Sequence, residues 1–352
     1  MERTPIAHRR SPVPRGMRVA AAVLVAASLT IAGVSAQNAD AESHVAVARA
    51  AAGQEHTELF TSLCSETPTG PGTRGRGTTT TAPTGAAGQR PDGPPPPSGR
   101  AEWHAEPVKV FDNLYFVGMK DVSAWAVTTT DGIIVIDALY DYSVDDEIAE
   151  GLRKLGLDPA TIKYVVVSHG HGDHSAGAKY LQDRFNAHVV LSAADWDLLD
   201  RGRGAKPARD QVAADGQKLT LGDTTITMYL TPGHTPGTLS YLIPVKDHGT
   251  PHLVAEWGGT AFNFPRTADN FRVYAASAER FGEIAAKAGA DAIISNHSAY
   301  DRSAKKLPAL AARRPDDPNP YVIGTDAVVR YMKVASECAK AHLAWVAAAK
   351  PH

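Results

Sequence analysis

The sequence predicts an α/β layered sandwich in which two β-sheets carry helices on their outer faces. Runs typical of short strands come first, over residues 108–136, and strands then alternate with helical patterns twice along the chain. This order is typical of sheets that are covered by helices. With 352 residues, of which 43% are hydrophobic, the chain can bury the core of one large domain or of two small ones.

Turn residues indicate where the first strands begin and end. Residues 112–113, Asp-Asn, predict a turn between two short β-rich runs, and residues 131–132, Asp-Gly, predict a hairpin. The run "IKYVVVSH" over 162–169 is almost continuously apolar, as expected of a buried strand.

Periodicity and further apolar runs predict the remaining elements of the domain. In chain order they are a helix over 144–156, a helix from Ser175, a strand over 187–193, a short helix over 193–200, a hairpin around 222–223, strands over 237–245 and 252–259, a helix over 276–288, a strand over 291–296 and a long helix over 325–350.

The N-terminal 36 residues have the pattern of a secretory signal peptide. Several arginines precede the apolar run "VAAAVLVAASLTIAGVSA", which ends in small residues at Val34, Ser35 and Ala36. An uncleaved membrane anchor is the alternative, although the run is a little short for a bilayer, which needs about 20 residues. Met17 is an alternative start. We therefore expect a periplasmic or secreted protein with no stable membrane insertion after cleavage.

Composition divides the rest of the chain into three parts. Residues 37–66 are predicted to form a helical segment, residues 67–100 a Pro/Gly-rich linker, and residues 101–352 the main folded domain. The two cysteines of the chain, Cys64 and Cys338, either form a disulfide, as an even pair in an exported protein can, or remain free thiols. The net charge of −2, without a basic stripe in the domain, gives no basis for nucleic-acid binding.

Four potential metal ligands are crowded into the segment "SHGHGDHSAG" over 168–177, namely His169, His171, Asp173 and His174. They follow the predicted buried strand, at a sheet edge where loops can change without damage to the core. The glycines between them allow several side chains to converge. Imidazole and carboxylate ligands suit Zn²⁺ best, with iron or manganese as substitutes. The cluster has too many ligands for one ion and too few for two, so further ligands are expected downstream.

Two downstream histidines directly follow predicted strands. His234 lies between two Pro-Gly elements in "LTPGHTPGT", and His297 follows the strand "DAIIS". The other histidines in the domain that we considered are expected to face solvent rather than to bind metal: His188, His248, His252 and His342.

The HxHxDH motif, followed by distant single histidines in these contexts, resembles the metallo-β-lactamase superfamily, over about residues 105–352. The resemblance implies a four-layer αββα sandwich with a dinuclear zinc site at one edge, two Zn²⁺ per chain. The implied ligands of the first zinc are His169, His171 and His234, and those of the second are Asp173, His174 and His297.

Two departures from the family pattern bear on the substrate. Many hydrolases of the superfamily carry a bridging aspartate in a "GDT" motif, whereas this chain has "EWGGTAF", with Gly259 at that place. Together with His174, this resembles the subclass B3 metallo-β-lactamases, which are exported. Those enzymes often use serines near this strand for the substrate carboxylate, and here only Thr260 is present.

The implied reaction is the opening of a β-lactam ring by a zinc-bound hydroxide, with a small-molecule substrate as the only partner. Asp173 is the candidate catalytic residue, which orients the nucleophile and relays its proton. Asp137, at the end of "GIIVIDA", is expected to support a ligand imidazole or a backbone amide, the alternative being a plain turn aspartate. Tyr300 and Asn263 are further candidates for substrate contact.

Two other functions remain open at this point. One is a B3-like hydrolase of another ester, lactone or amide, and the other is a metal-binding protein without turnover.

Overall fold

The computed structural model describes residue 1 and residues 39–64, 99–202, 204–314 and 316–348. Almost all of the predicted signal peptide (1–36) and of the predicted linker (67–100) therefore lies outside the described residues. The division of the chain into signal peptide, helical segment, linker and domain stays a prediction. Within the described ranges, no helix combines the length and the apolar character that a membrane span needs.

Among the described residues, the first sheet has seven strands in the same order as in the sequence. The first four pair antiparallel and the last four pair parallel, so the fourth strand belongs to both halves. The strands are β1 (Val108–Lys109), β2 (Leu114–Phe116), β3 (Trp125–Thr129), β4 (Gly132–Ile136), β5 (Ile162–Val166), β6 (His188–Ser192) and β7 (Gln211–Ala213).

The second sheet has five strands in the described part of the chain, ordered β12-β11-β10-β9-β8. Only the β11–β12 pair is parallel, because a helix crosses over between those two strands. The strands are β8 (Gln217–Leu221), β9 (Thr224–Leu230), β10 (Leu239–Asp247), β11 (Thr250–Trp257) and β12 (Ala292–Ser295).

Helices cover the outer face of each sheet. On the first sheet lie α3 (Arg100–Trp103), a π-helix (Asp145–Ala149) that continues into α4 (Glu150–Lys154), α5 (Gly172–Ser175), α6 (Ala178–Phe185) and α7 (Ala193–Arg201). Associated with the second are α1 (39–52), α2 (Thr57–Cys64), α8 (Ala268–Ala288) and α10 (Thr325–Ala348). Helix α9 (Ser303–Ala311) instead contacts β1, and its Leu307 packs among the buried residues between the two sheets.

Three buried apolar clusters fill the spaces between these layers. One lies between the two sheets and includes Phe116, Ile134 and Ile243. The other two lie between each sheet and its own helices. This arrangement confirms the predicted four-layer αββα sandwich.

Two details differ from the predicted elements. Helix α8 begins at Ala268, eight residues before the predicted start at 276, because the side chain of Thr267 accepts a hydrogen bond from the Asn270 amide and caps the helix there. Helix α9 was not predicted. It begins after Arg302, whose left-handed backbone (φ +65°) turns the chain sharply out of the preceding loop.

The two N-terminal helices belong to the outer layer of the second sheet. Of the two alternatives for the cysteines, the structure has the disulfide, which joins Cys64 of α2 to Cys338 of α10. Next to it, the His342 ring donates a hydrogen bond from Nε2 to the carbonyl of Leu63, at 2.9 Å. His342 is fully buried, so the prediction that it faces solvent is wrong, because α2 covers that face of α10.

Candidate metal centre

The residues predicted to bind metal lie at one edge of the sandwich, where loops from both sheets meet. His169 follows β5 and Asp137 follows β4, both in the first sheet. His234 lies in the loop between β9 and β10, and His297 follows β12, both in the second sheet. The site is therefore built across the gap between the sheets.

The first predicted ligand set converges on one point. Nε2 of His234 lies 3.0 Å from Nε2 of His169 and 3.0 Å from Nδ1 of His171. One ring nitrogen from each of the three residues falls within 4.8 Å of the others, a grouping that could hold a metal ion. His169 and His234 are buried, and His171 is partly open toward the cleft.

The second predicted set converges beside the first. Nε2 of His174 lies 3.3 Å from Nε2 of His297 and 3.3 Å from a carboxylate oxygen of Asp173. The same oxygen of Asp173 lies 3.6 Å from Nε2 of His297. His169 also groups with Asp173 and His174, so it lies at the junction of the two sets.

Hydrogen bonds on the far side of the rings fix which nitrogen faces the cluster. Nδ1 of His169 donates to the Gly258 carbonyl at 2.9 Å, and Nδ1 of His234 donates to the Ala261 carbonyl at 2.6 Å. Nδ1 of His297 likewise donates to the Asp121 carbonyl at 3.0 Å. A histidine that donates from one nitrogen presents a lone pair on the other, so these three rings point acceptors into the site.

This arrangement fits a metal ion and does not fit a proton. Two acceptor nitrogens 3.0 Å apart, those of His169 and His234, repel each other unless a cation lies between them. Burial, reinforced by the neighbouring imidazoles, holds the pKa of His169 well below its usual range and lowers the pKa of His234 to about 3. Since protonation is disfavoured at both rings, the donor set suits a cation bound through nitrogen.

The second half of the site brings the Asp173 carboxylate against the His174 imidazole. Burial alone would lower the pKa of His174, but Asp173 and Asp137 outweigh it and raise that pKa to about 10. Burial would raise the pKa of Asp173, and the nearby imidazoles of His174 and His297 lower it well below its usual range instead. The carboxylate is therefore ionised, as a metal ligand must be.

Asp137 contacts this half of the site through Ser168 and His174. Its carboxylate accepts hydrogen bonds from the amide and the hydroxyl of Ser168, at 2.6 and 2.9 Å, and lies 2.8 Å from Nδ1 of His174. Asp137 is fully buried and has a left-handed backbone, with φ +62°. Such backbone strain in a non-glycine residue costs about 1–3 kcal/mol and is concentrated at functional sites.

The position of the absent bridging aspartate has no room for a side chain. A Cβ placed on Gly259 would lie 2.5 Å from Cβ of His234 and 2.8 Å from Cγ2 of Thr238. The loop thus lies directly against the histidine that it supports. Thr260 is buried, and its hydroxyl lies 3.1 Å from that of Ser295, so it faces the protein interior.

Several residues at the site carried no signal that sequence reasoning could use. Asp195 of α7 is buried and hydrogen-bonds two of the ligand loops, yet in the sequence it is an ordinary acid in the first turn of a helix. Tyr140 and Tyr142 stack with ring centroids 5.0 Å apart, and burial, helped by the charge of Asp173, raises the pKa of both phenols.

The two further candidates for substrate contact lie in different positions. The ring of Tyr300 packs edge-on against His297, with centroids 5.9 Å apart. Asn263 is exposed in the loop that follows Ala261.

Comparison with known proteins agrees with this geometry. Residues 117–248 match the family model of the metallo-β-lactamase superfamily. A curated relative, the hydroxyacylglutathione hydrolase of Acidiphilium cryptum, is 40% identical over 81 residues, a match that spans 23% of this chain and 30% of the relative. The chain thus spans less than a third of the length of that relative.

Solved structures match over more of the chain. A subclass B3 metallo-β-lactamase of Bradyrhizobium japonicum is 26% identical, and the match covers 64% of this chain and 89% of that enzyme with a TM-score of 0.53. The Rm3 metallo-β-lactamase is 27% identical, with 66% and 91% covered and a TM-score of 0.57. The chain therefore carries a metallo-β-lactamase superfamily domain, and its described residues have the fold of the subclass B3 metallo-β-lactamases.

Proposed function

We propose that the protein is an exported hydrolase that holds two zinc ions per chain and opens the ring of β-lactams. The observation that carries the proposal is the convergence of ring nitrogens from His169, His171 and His234, where His234 lies 3.0 Å from each of the other two. Burial disfavours protonation of His169 and His234. Three imidazoles around one point are the ligand set of a catalytic zinc that keeps an open position.

The chain has the residues for two zinc sites. His169, His171 and His234 would hold the first ion, and Asp173, His174 and His297 would hold the second. Bound zinc supplies Lewis acidity, which polarises a carbonyl oxygen and makes water acidic enough to act as a nucleophile near neutral pH.

The residues of the chain orient the reactants around this chemistry. Asp173, which the surrounding imidazoles keep ionised, would orient the attacking water through a carboxylate oxygen and pass the water's proton on to the nitrogen of the broken amide bond. Asp137 holds the His174 ring through Nδ1, so the opposite nitrogen, Nε2, keeps its direction into the site.

Two observations support a β-lactam as substrate. The structural match covers 89% of a solved subclass B3 metallo-β-lactamase and 91% of the Rm3 metallo-β-lactamase. In addition, the loop at Gly259 excludes a bridging carboxylate, as in the B3 pattern.

A different ester or thioester substrate is the second candidate, and two observations favour it. The hydroxyl of Thr260 faces Ser295 in the interior and is not offered to a substrate carboxylate. The relative from Acidiphilium cryptum is named for hydrolysis of a hydroxyacyl thioester of glutathione.

One kinetic comparison separates the two candidates. The zinc-loaded protein is assayed against a penicillin, a cephalosporin and a carbapenem, and against a hydroxyacylglutathione and a panel of lactones. We expect β-lactam turnover that a chelator abolishes and added zinc restores. Turnover of the thioester or lactones without β-lactam turnover would establish the second candidate, and no turnover of any of them would overturn both.

Export is the remaining part of the proposal. It is supported by the N-terminal pattern of arginines and an apolar run, and by the Cys64–Cys338 disulfide, since disulfides persist in oxidising compartments. The test is the mass of the chain recovered from the periplasm or medium of an expressing bacterium. A mature form that begins near residue 37 supports export, and full-length protein confined to the cytoplasm contradicts it.

A further inference from the structure

Asp195 is the acidic side chain that joins the two loops of the first ligand set. It lies in the first turn of α7 and is fully buried, although the site prediction did not include it. Buried carboxylates are rare in proteins unless hydrogen bonds or charges compensate for the loss of water. The partners of Asp195 are therefore informative about its role.

Three donors from two loops converge on this carboxylate. One oxygen accepts from the Gly170 amide at 2.9 Å and from the Thr235 hydroxyl at 2.6 Å. The other oxygen accepts from the Gly237 amide at 2.9 Å. Gly170 lies between the ligand candidates His169 and His171, and Thr235 directly follows the third candidate, His234.

The two loops come from different sheets. The loop with Gly170 follows β5 of the first sheet, and the loop with Thr235 and Gly237 connects β9 to β10 of the second. Asp195 thus bridges the gap that the first ligand set also bridges. A backbone hydrogen bond from Leu239 to Ser168, at 2.8 Å, joins the same loops further inside.

Both loops pack in close contact with the first turn of α7, at Gly170 and Gly237. A Cβ on Gly237 would lie 2.0 Å from the Ser192 hydroxyl and 2.7 Å from the Asp195 carboxylate. A Cβ on Gly170 would lie 3.2 Å from the Asp195 carbonyl. The glycines allow the approach, and the carboxylate then fixes the spacing between the loops.

We propose that Asp195 is a positioning residue that holds the His169–His171 loop and the His234 loop at the spacing that a metal ion requires. The inference rests on the proposed function in that the ligand set is taken to bind zinc. Asp195 does not touch the cluster itself. It reduces the reorganisation that metal binding would otherwise require, and residues that support ligands in this way typically change metal affinity by about 10–100-fold.

The test compares zinc affinity in matched variants of the full chain, by competition with a chromophoric chelator. Asp195→Asn replaces one acceptor oxygen by a donor, so at least one of the three partners loses its acceptor. We expect its zinc affinity to fall by about 10–100-fold. Asp197→Asn is the matched control, since Asp197 lies on the same helix but is exposed and pairs with Arg209. Its affinity should equal that of the natural chain.

A second pair of variants addresses the loop partner and guards against misfolding. Thr235→Val removes the hydroxyl that donates to Asp195, and Thr235→Ser keeps it. We expect Val to weaken zinc binding and Ser to restore it. Cobalt substituted for zinc supplies a further readout, because its visible spectrum reports ligand geometry, and that spectrum should change in Asp195→Asn and Thr235→Val only.

The outcomes separate this inference from the proposed function. A merely structural role would lower the thermal stability of the metal-free variants and leave the zinc affinity of the folded protein within twofold, which would overturn the inference alone. If the natural chain binds no zinc, the proposed function fails as well. Reduced affinity and an altered cobalt spectrum in Asp195→Asn and Thr235→Val, with normal behaviour of Asp197→Asn, support the inference.

Discussion

At the scale of single residues, the absence of a side chain at Gly259 determines how closely its loop packs against the candidate site. Gly259 lies where related hydrolases carry a metal-bridging aspartate, and the structure leaves a Cβ there only 2.5 Å from Cβ of His234. The glycine therefore leaves the space that the His234 side chain occupies. A carboxylate introduced at this position would displace His234 from its place beside His169 and His171.

The variant Gly259→Asp tests this consequence of packing. We expect it to weaken zinc binding by about tenfold or more, because His234 must move away from its partners. Zinc content per chain after dialysis and the affinity for zinc are the measurements. Gly99→Asp serves as the control, since a Cβ on Gly99 meets no atom within 4 Å. A Gly259→Asp protein that binds zinc as tightly as the natural chain would contradict the prediction.

Tyr140 is a second residue with a testable role. Its ring stacks on Tyr142, and its phenol lies within electrostatic reach of Asp173. If the ring borders the substrate cleft, Tyr140→Leu should raise KM by about 2–10-fold, the worth of one aromatic contact, and leave kcat unchanged. Tyr164→Leu, in a half-buried tyrosine beside His188, is the control. An unchanged KM would place Tyr140 outside the cleft.

At the scale of elements, the sequence was most informative where one strand or one turn determines the local structure. The hairpin at 131–132 and the buried strand before His169 form as predicted, because their signals lie within a few neighbouring residues. Their places after predicted strands singled out His234 and His297 as further ligand candidates, but their division into two ligand sets needed the family resemblance, since these residues lie 65 and 123 positions from their partners.

Other features depend on partners that no local pattern reveals. Asp195 acquires its role only because residues 40 and 42 positions away fold back onto it. His342 was expected to face solvent, but α2, which is 279 positions away at Leu63, covers it. Such long-range contacts decide burial and hydrogen bonding without leaving a periodic trace in the sequence.

Burial of His342 within α10 predicts a pH dependence of stability. Burial lowers the pKa of this ring to about 4, from 6.5 in the unfolded chain. The unfolded chain therefore binds the proton first as the pH falls. The stabilisation that depends on a neutral ring is complete above about pH 6.5 and is lost progressively as the pH falls toward about 4.

The measurement is urea unfolding of metal-free protein at about pH 7.5 and about pH 5. His342 should account for a loss of about 2 kcal/mol between these values, and His342→Gln should show a correspondingly shallower pH dependence. The other buried histidines, among them His174 with the opposite sign, contribute equally in both proteins, so only the difference between the two proteins is informative. His188→Gln, in an exposed histidine, should behave like the natural chain. Equal slopes for His342→Gln and the natural chain would contradict the prediction.

At the scale of the whole molecule, two features connect parts of the sandwich that are far apart in the sequence. The candidate metal ligands come from loops of both sheets at one edge, and the disulfide connects α2 to α10 in the outermost layer. The disulfide closes a loop of 274 residues, and long loops lose the most conformational entropy in the unfolded state when they are closed. The N-terminal helices are thereby held on the second sheet by a covalent bond as well as by packing.

Loss of this covalent bond should lower the free energy of unfolding by about 2–4 kcal/mol, because the unfolded chain regains the entropy of the open loop. The measurement is urea unfolding of the natural chain and of the double variant Cys64→Ala, Cys338→Ala, with and without a reducing agent. Reduction should destabilise the natural chain to the level of the double variant and leave the double variant unchanged, since it has no disulfide to lose. Because the ligand loops keep their own hydrogen bonds to Asp195 and Asp137, zinc affinity of the folded protein should change much less than stability. If reduction left the stability of the natural chain unaltered, the packing of α2 on α10 alone would be enough to hold the outer layer in place.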